Sequence, residues 1–559
     1  MLKKGRKAIC IIICVTICLT LAAACGGNNN AADSSNPSSS GSPSASAPAS
    51  SASPAAPSPS SGVQTNAPPP PPPPVEEGAK FAASLDVIVD NNKIAVIDPF
   101  NSASNPSSTC WVFLMVYNRL VVSLGDGEYG SCLATSWDTS DWKTFRFHLR
   151  DDVTFHNGEK FTAADVVYTI ETAREATGTL ASDRWGPIDT INVIDPYTIE
   201  FVLTNVNVDF LFNLAQPQAV IVNEKAMKAD PENGVWIGTG AWKVSEFATN
   251  DYVVLVRNDS YWGEPAITEK LTLRFVPEMA TKLMQLENGQ TDVCFSLDPV
   301  DMPLIAADTE NYVCYIYTYN NCDMIGFNME DPIVSDWNFR MAVASALDRD
   351  EITIAACSDF GIPETEGTYS GYQTEFRNHS IPIIPYDIDA AKAFLAASPY
   401  NGETLEIATA ISTNIIAAEV IQQQLAKIGI TTSINVMDPP SMGAYVRFGE
   451  NKSQIIVYVG PMTLSSASYR SAYYPGAAYN RVSYNNPVIT EMLDKAVTMT
   501  DLNARRALYM ELQEIVAEDP PYINLFWLQH MAACAKGVGG MILSSDSYFD
   551  LTYIYKIIG

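Results

Sequence analysis

The chain has 559 residues, with 63 Asp plus Glu against 34 Lys plus Arg, four His and a formal charge of −29. That length exceeds one ordinary domain, and 47% apolar residues make a folded rather than a disordered chain. The acidity excludes nucleic-acid binding, which needs clustered Lys and Arg, and the scarcity of His argues against catalysis or a metal centre built on histidine.

Lys3, Lys4, Arg6 and Lys7 form a basic start, followed by an uninterrupted apolar stretch, Ala8 to Ala24, that ends in small residues. This is the pattern of a secretory signal, 1–24. Its removal deletes four positive charges and no negative one, taking the formal charge from −29 to −33. Leu21-Ala22-Ala23-Ala24-Cys25 resembles the lipobox of bacterial lipoproteins, with Ala22 where Leu is usual. The resemblance implies that Cys25 becomes a lipid-bearing N-terminus, anchoring the exported chain to the outer face of the cell membrane. Ordinary cleavage after Ala24 is the competing reading. Seven cysteines remain beyond Cys25, with no C-x-x-C pair to hold zinc; an odd number leaves at least one thiol unpaired.

From 25 to 80 the composition collapses to Ser, Pro, Ala, Gly and Asn, and closes on seven prolines, Pro68 to Pro74. Nothing here can build a core, so a disordered tether is expected, with a polyproline II rod of about 20 Å at its end.

Beyond the tether, both periodicities are mixed. Alternation predicts strands at Thr144–Leu149, Thr198–Leu203, Tyr252–Arg257, Leu271–Phe275 and Tyr312–Tyr319. A capping box, Thr162 with Asp165, opens a helix over Thr162–Ala176. Further helices are expected at Ile415–Ile428, stopped by Gly429, after the Asn486-Pro487 cap, and from Leu502 to Glu518. His156, in Phe155-His156-Asn157-Gly158, reads as a hydrogen-bonded structural residue at a turn, and Gly238 and Gly240 around Thr239 as a close backbone approach. The fold class is α/β.

These residues carry a family resemblance. Leu133–Ala164 (LATSWDTSDWKTFRFHLRDDVTFHNGEKFTAA) with Asp165-Val166-Val167-Tyr168 resembles the signature segment of family 5 extracellular solute-binding proteins, the dipeptide, oligopeptide and nickel type. Gly238–Lys243, Tyr261-Trp262-Gly263, Gly326-Phe327-Asn328, Arg340 to Asp350, Gln422–Ile430 and Asp519–Phe526 continue it in order. The resemblance implies two hinged α/β lobes of the type II periplasmic-binding-protein (Venus flytrap) kind, with an extra domain in the first lobe. Mapped here, lobe I is 84–123, 237–325 and 520–559, the inserted domain 124–236, and lobe II 326–519. It also implies a monomer that captures a small solute, such as a peptide, and serves the permease and ATPase subunits of an ABC importer. No cofactor and no enzymatic role is expected: there is no G-x-S-x-G or H-E-x-x-H motif. The rival reading is the same scaffold used as a signalling receptor or adhesin.

In peptide-binding relatives a late segment supplies an aspartate to the peptide ammonium. The corresponding stretch, Ile455–Tyr479, has no Asp or Glu, so the ligand's identity stays open. It offers Tyr458, Tyr469, Tyr473 and Tyr474 as apolar faces with hydroxyls, and Arg470 as a clamp for carboxylate or phosphate. On lobe I, Thr109, Cys110 and Trp111 fall where relatives place ligand-facing residues. Ordinary packing is the alternative for each.

Overall fold

The structure is a computed structural model that describes residues 78–90, 94–101, 106–125, 128–177, 179–358, 360–367, 376–461, 467–477, 479–543 and 549–558. The signal, Cys25 and the tether up to residue 77 lie outside the described residues.

One sheet organises the fold. Its strands run in the order Thr431–Val436, Thr404–Thr409, Ile455–Pro461, Tyr312–Phe327, Tyr522–Ala535, Val293–Cys294, Ser84–Asp90, Lys270–Phe275, Tyr252–Arg257 and Trp242–Ala248. The two long central strands, Tyr312–Phe327 and Tyr522–Ala535, are antiparallel and run through both halves of the sheet. Tyr312 to Thr318 pair with Ala535 back to Gln529; the register then shifts, and Cys322 to Gly326 pair with Trp527 back to Tyr522. Across the shift, three residues, 319–321, oppose Leu528 alone, and Leu528 pairs with Gly361 instead. A bulge of this kind bends and twists a ladder. Gly326, the first residue mapped to lobe II, lies inside the second half, paired with Ile456 and Tyr522.

Each half of the sheet has its own core. The first packs Leu85, Val87, Trp111, Phe113, Leu271 and Phe295 against the helix Pro106–Val116. In the second, successive residues of one strand face opposite ways: Ile325 and Phe327 meet the helices Trp337–Ala346, Arg349–Cys357 and Ser412–Ala426. Cys322 and Met324 face Tyr458, Tyr473 and the helix Leu502–Glu518. Inserted in sequence between Ser84–Asp90 and Trp242–Ala248 of the first half, a four-stranded antiparallel sheet, Ala134–Asp138, Thr144–Leu149, Thr198–Leu203 and Ile188–Asp195, builds a separate core on Trp137, Phe145, Phe147, Trp185 and Phe201.

Local signals explain the elements. Phe145, Phe147 and Leu149 are buried and Arg146 exposed, as alternation requires. Thr162 Oγ1 accepts from the Ala164 amide while the Thr162 amide donates to Asp165 Oδ2 at 3.0 Å, which closes the capping box of Ala163–Glu175. Asn486 caps Pro487–Ala496, and Leu502–Glu518 ends just before Pro520-Pro521. The helix expected from Ile415 starts earlier, at Ser412, and ends at Ala426; Gly429 (φ +96°) turns the chain away. The half-buried His156 ring is held neutral, its pKa lowered to about 4 by desolvation. Nδ1 accepts from the Gly238 amide and Nε2 contacts the Gly240 carbonyl at 3.0 Å. A side chain on Gly238 or Gly240 would strike the Val116 or Met115 carbonyl at 2.0 and 2.2 Å, so both glycines are needed for this approach.

Candidate functional site

Thr109, Cys110 and Trp111 lie on Pro106–Val116, buried in the first lobe. Trp111, 4% exposed, packs on Phe295 at 4.7 Å between ring centres. Phe295 in turn meets Phe549 at 5.2 Å, Phe549 meets Tyr317 at 4.8 Å, and Tyr317 stacks on His530 at 5.7 Å. One aromatic row thus leads from the helix to the paired central strands, ending one residue from the register shift.

In the second lobe the tyrosines form a cluster. Tyr458 and Tyr473 each lie 6.1 Å from Tyr522, and Tyr473 meets Tyr484 edge-on at 5.6 Å. Tyr469 stacks on Tyr509 at 4.8 Å and donates its hydroxyl to the Phe376 carbonyl at 3.0 Å. Tyr458, Tyr469 and Tyr473 are all buried. Arg470 and Tyr474 stand apart from them: the guanidinium lies 3.7 Å over the Tyr474 ring and pairs with Asp494 at 2.9 Å. The cation singled out from sequence therefore has its carboxylate within this chain.

Three features were missed from sequence. Arg481 lies just past the segment searched; its guanidinium stands over the rings of Tyr458 and Tyr479 at 5.4 and 5.8 Å. Asp323 is 1% exposed, hydrogen-bonded by the Asn414 side chain, and burial raises its pKa to about 7. Arg377 makes a two-pronged pair with Glu364 at 2.8 and 2.9 Å, both buried, and Trp527 Nε1 donates to the same carboxylate at 3.1 Å. The signal for Arg481 was its place between Tyr479 and Tyr484; Asp323 and Glu364 lie far from the late segment in sequence and carry none.

A cavity of about 440 Å³ opens beside the tyrosine cluster, lined among others by Arg349, Glu366, Tyr473, Gln513, Tyr522 and Asn524. Among the described residues no group of three or more His, Cys, Asp or Glu is placed to hold a metal ion, and all seven described cysteines are free thiols. No helix among them is long and apolar enough to cross a membrane.

Two α/β halves joined by a pair of long strands, with an extra antiparallel domain, define the class: a two-lobed, periplasmic-binding-protein-like fold. A family model, bacterial extracellular solute-binding proteins, family 5, matches residues 128–481, more than half of the chain. The chain belongs to that family, whose members are extracytoplasmic receptors for solutes. It is similar to the glutathione-binding protein GsiB of Pectobacterium atrosepticum, 24% identical over 490 residues, 84% of this chain and 94% of that one. It is equally similar to the nickel-binding periplasmic protein of Escherichia coli K12, 24% identical over 478 residues, 80% of this chain and 90% of that one. Among solved structures, the ABC transporter-associated periplasmic binding protein DppA of Helicobacter pylori, in complex with the peptide STSA, superposes with a TM-score of 0.74. It is 22% identical and covers 86% of this chain and 99% of its own.

Proposed function

We propose that this protein captures an oligopeptide or related small solute between its two lobes and delivers it to the permease and ATPase subunits of an ABC importer. The observation that carries the reading is the pair of long strands that runs through both halves of the sheet, broken in register at 319–321 opposite Leu528. The break supports a hinge there, a few residues ahead of the boundary at 326. A solute touching both lobes stabilises the closed form, and the permease then reads that form. Relatives that bind glutathione, nickel and peptides favour import over a signalling or adhesive role.

The lobes are taken as 84–123, 237–325 and 520–559 for the first, 124–236 for the inserted domain and 326–519 for the second. The receptor acts as a monomer, held at the outer face of the membrane by lipid on Cys25. Thr109, Cys110 and Trp111 from one lobe and Tyr458, Tyr469, Arg470, Tyr473 and Tyr474 from the other are the ligand residues to test. Their depth in this structure means that some act by shaping the walls of the site. Double electron–electron resonance between one spin label on each lobe tests closure: a bound solute shortens the distance, and an unchanged distance at saturation contradicts the reading. Mass spectrometry of the mature N-terminus tests the lipid, since an unmodified Cys25 or cleavage after Ala24 without acylation contradicts the anchor.

A further inference from the structure

We propose that Arg481 recognises an oxyanionic group, a carboxylate or phosphate, on the captured solute. The inference rests on the reading of this protein as a solute receptor and adds the chemistry of what it captures.

Most arginines here are answered from within the chain. Arg146 pairs with Glu200, Arg150 with Asp152, Arg257 with Asp259, Arg274 with Asp86, Arg377 with Glu364 and Arg470 with Asp494. In a chain with nearly twice as many acidic as basic residues, a partner is easily found. Among the described residues, the half-buried Arg481 side chain has no carboxylate at ion-pair distance and no hydrogen-bond acceptor. It is held by two tyrosine faces, and a ring face attracts a guanidinium without using its N–H donors. The donors stay available, in a planar fork that fits an oxyanion.

The support is prearranged. The Arg481 amide donates to the Tyr522 hydroxyl at 3.2 Å, and that hydroxyl donates to the Tyr479 carbonyl at 3.2 Å. Asn451 Nδ2 donates to the Arg481 carbonyl at 2.9 Å. These bonds tie the residue to the second central strand. Beside it, Gly443 leaves room: a Cβ there would meet Arg481 Nη2 alone, at 4.0 Å. Tyr458, under the guanidinium, is the middle residue of Ile455–Pro461, and Tyr479 flanks the fork from the segment that leads into Arg481. Arg470, the cation expected from sequence, is already neutralised by Asp494.

The test is calorimetric titration of the mature protein with paired probes: di- to tetrapeptides and their C-terminal amides, sugar acids and the neutral sugars, phosphate monoesters and the free alcohols. The wild type is expected to prefer the oxyanionic member of a pair. Arg481→Gln should weaken that member about ten- to a hundredfold while leaving the neutral one unchanged. Arg481→Lys should recover part of the loss, and Arg146→Gln, at the exposed pair with Glu200 in the four-stranded sheet, should have no such effect. A merely structural Arg481 would weaken both members alike, which overturns the proposal, as does a wild type that binds a neutral solute as tightly as its acid. In either case capture itself stands; a ligand-free wild type that binds none of the probes contradicts capture as well.

Discussion

Tyr317 and His530 stack across the two central strands, ring centres 5.7 Å apart and planes 24° from parallel, one residue before the register between those strands shifts. The pair closes an aromatic row that begins at Trp111, so the wall of the first lobe and the proposed hinge are one packed unit. Burial lowers the His530 pKa to about 4, so the ring beside the proposed hinge is neutral. Tyr317→Ala removes the centre of the row. Denaturant unfolding is expected to show a loss of about 2–4 kcal/mol, the range for a large buried side chain. A change within about 0.5 kcal/mol would mean that the row bears no load.

Asp323 gives a pH signature. Burial holds its pKa near 7 in the folded chain against an ordinary 3.8, so the folded form keeps a proton that the unfolded chain loses. Stability from this residue is full at pH below about 4 and falls as pH rises toward 7, the sign for a raised carboxyl. His156 and His530, both lowered to about 4, act oppositely: the unfolded chain gains protons on them as pH falls below about 6.5. The difference between wild type and Asp323→Asn isolates the carboxyl. Its stability advantage for the variant should grow steadily between pH 4 and 7 in thermal unfolding. A difference that is flat with pH contradicts the assignment.

Glu364 and Arg377 form a buried, two-pronged pair whose carboxylate also receives the Trp527 indole. Glu364→Ala leaves the buried guanidinium with Glu366 as its one carboxylate partner and the Trp527 indole without its acceptor, and should cost about 1–3 kcal/mol in urea unfolding. Replacing both with apolar residues of similar volume should cost less, because the buried guanidinium goes with its carboxylate and Glu366, which loses Arg377, is partly open to water and keeps His379. A double variant weaker than Glu364→Ala would contradict this.

Gly240 sits where a Cβ would lie 2.2 Å from the Met115 carbonyl. Gly240→Ala must therefore shift the helix Pro106–Val116 or the loop, with a loss of about 1–3 kcal/mol or more. Gly402, at φ +95° with open space around it, is the comparison: Gly402→Ala is strained by backbone conformation alone and should cost less, about 1 kcal/mol. Equal losses would show that the close approach is not what Gly240 serves.

Short-range signals made much of the fold legible. Phe145, Phe147 and Leu149 alternate with polar residues and form the strand with the expected ends, and Thr162 with Asp165 starts its helix where the capping box falls. Tyr312–Phe327 was different: its sequence reads as a strand only to Tyr319, because Asn320-Asn321 looks like a turn. Those residues are instead the bulge that carries one strand through both lobes, which only its long-range partner reveals. The site followed the same division. Its tyrosines were visible as a cluster, but Arg470 looked free because Asp494 lies 24 residues away, while the isolation of Arg481 needs three dimensions to see.

The central claim is capture of a solute by the folded two-lobed body, and thermal unfolding of verified ligand-free mature protein against a library of peptides, metal complexes and small acids tests it most directly. At a concentration about a hundredfold above its Kd, a cognate solute should add about 2.7 kcal/mol of stability and raise Tm accordingly. If no solute in the library shifts Tm, the protein is not the receptor described here.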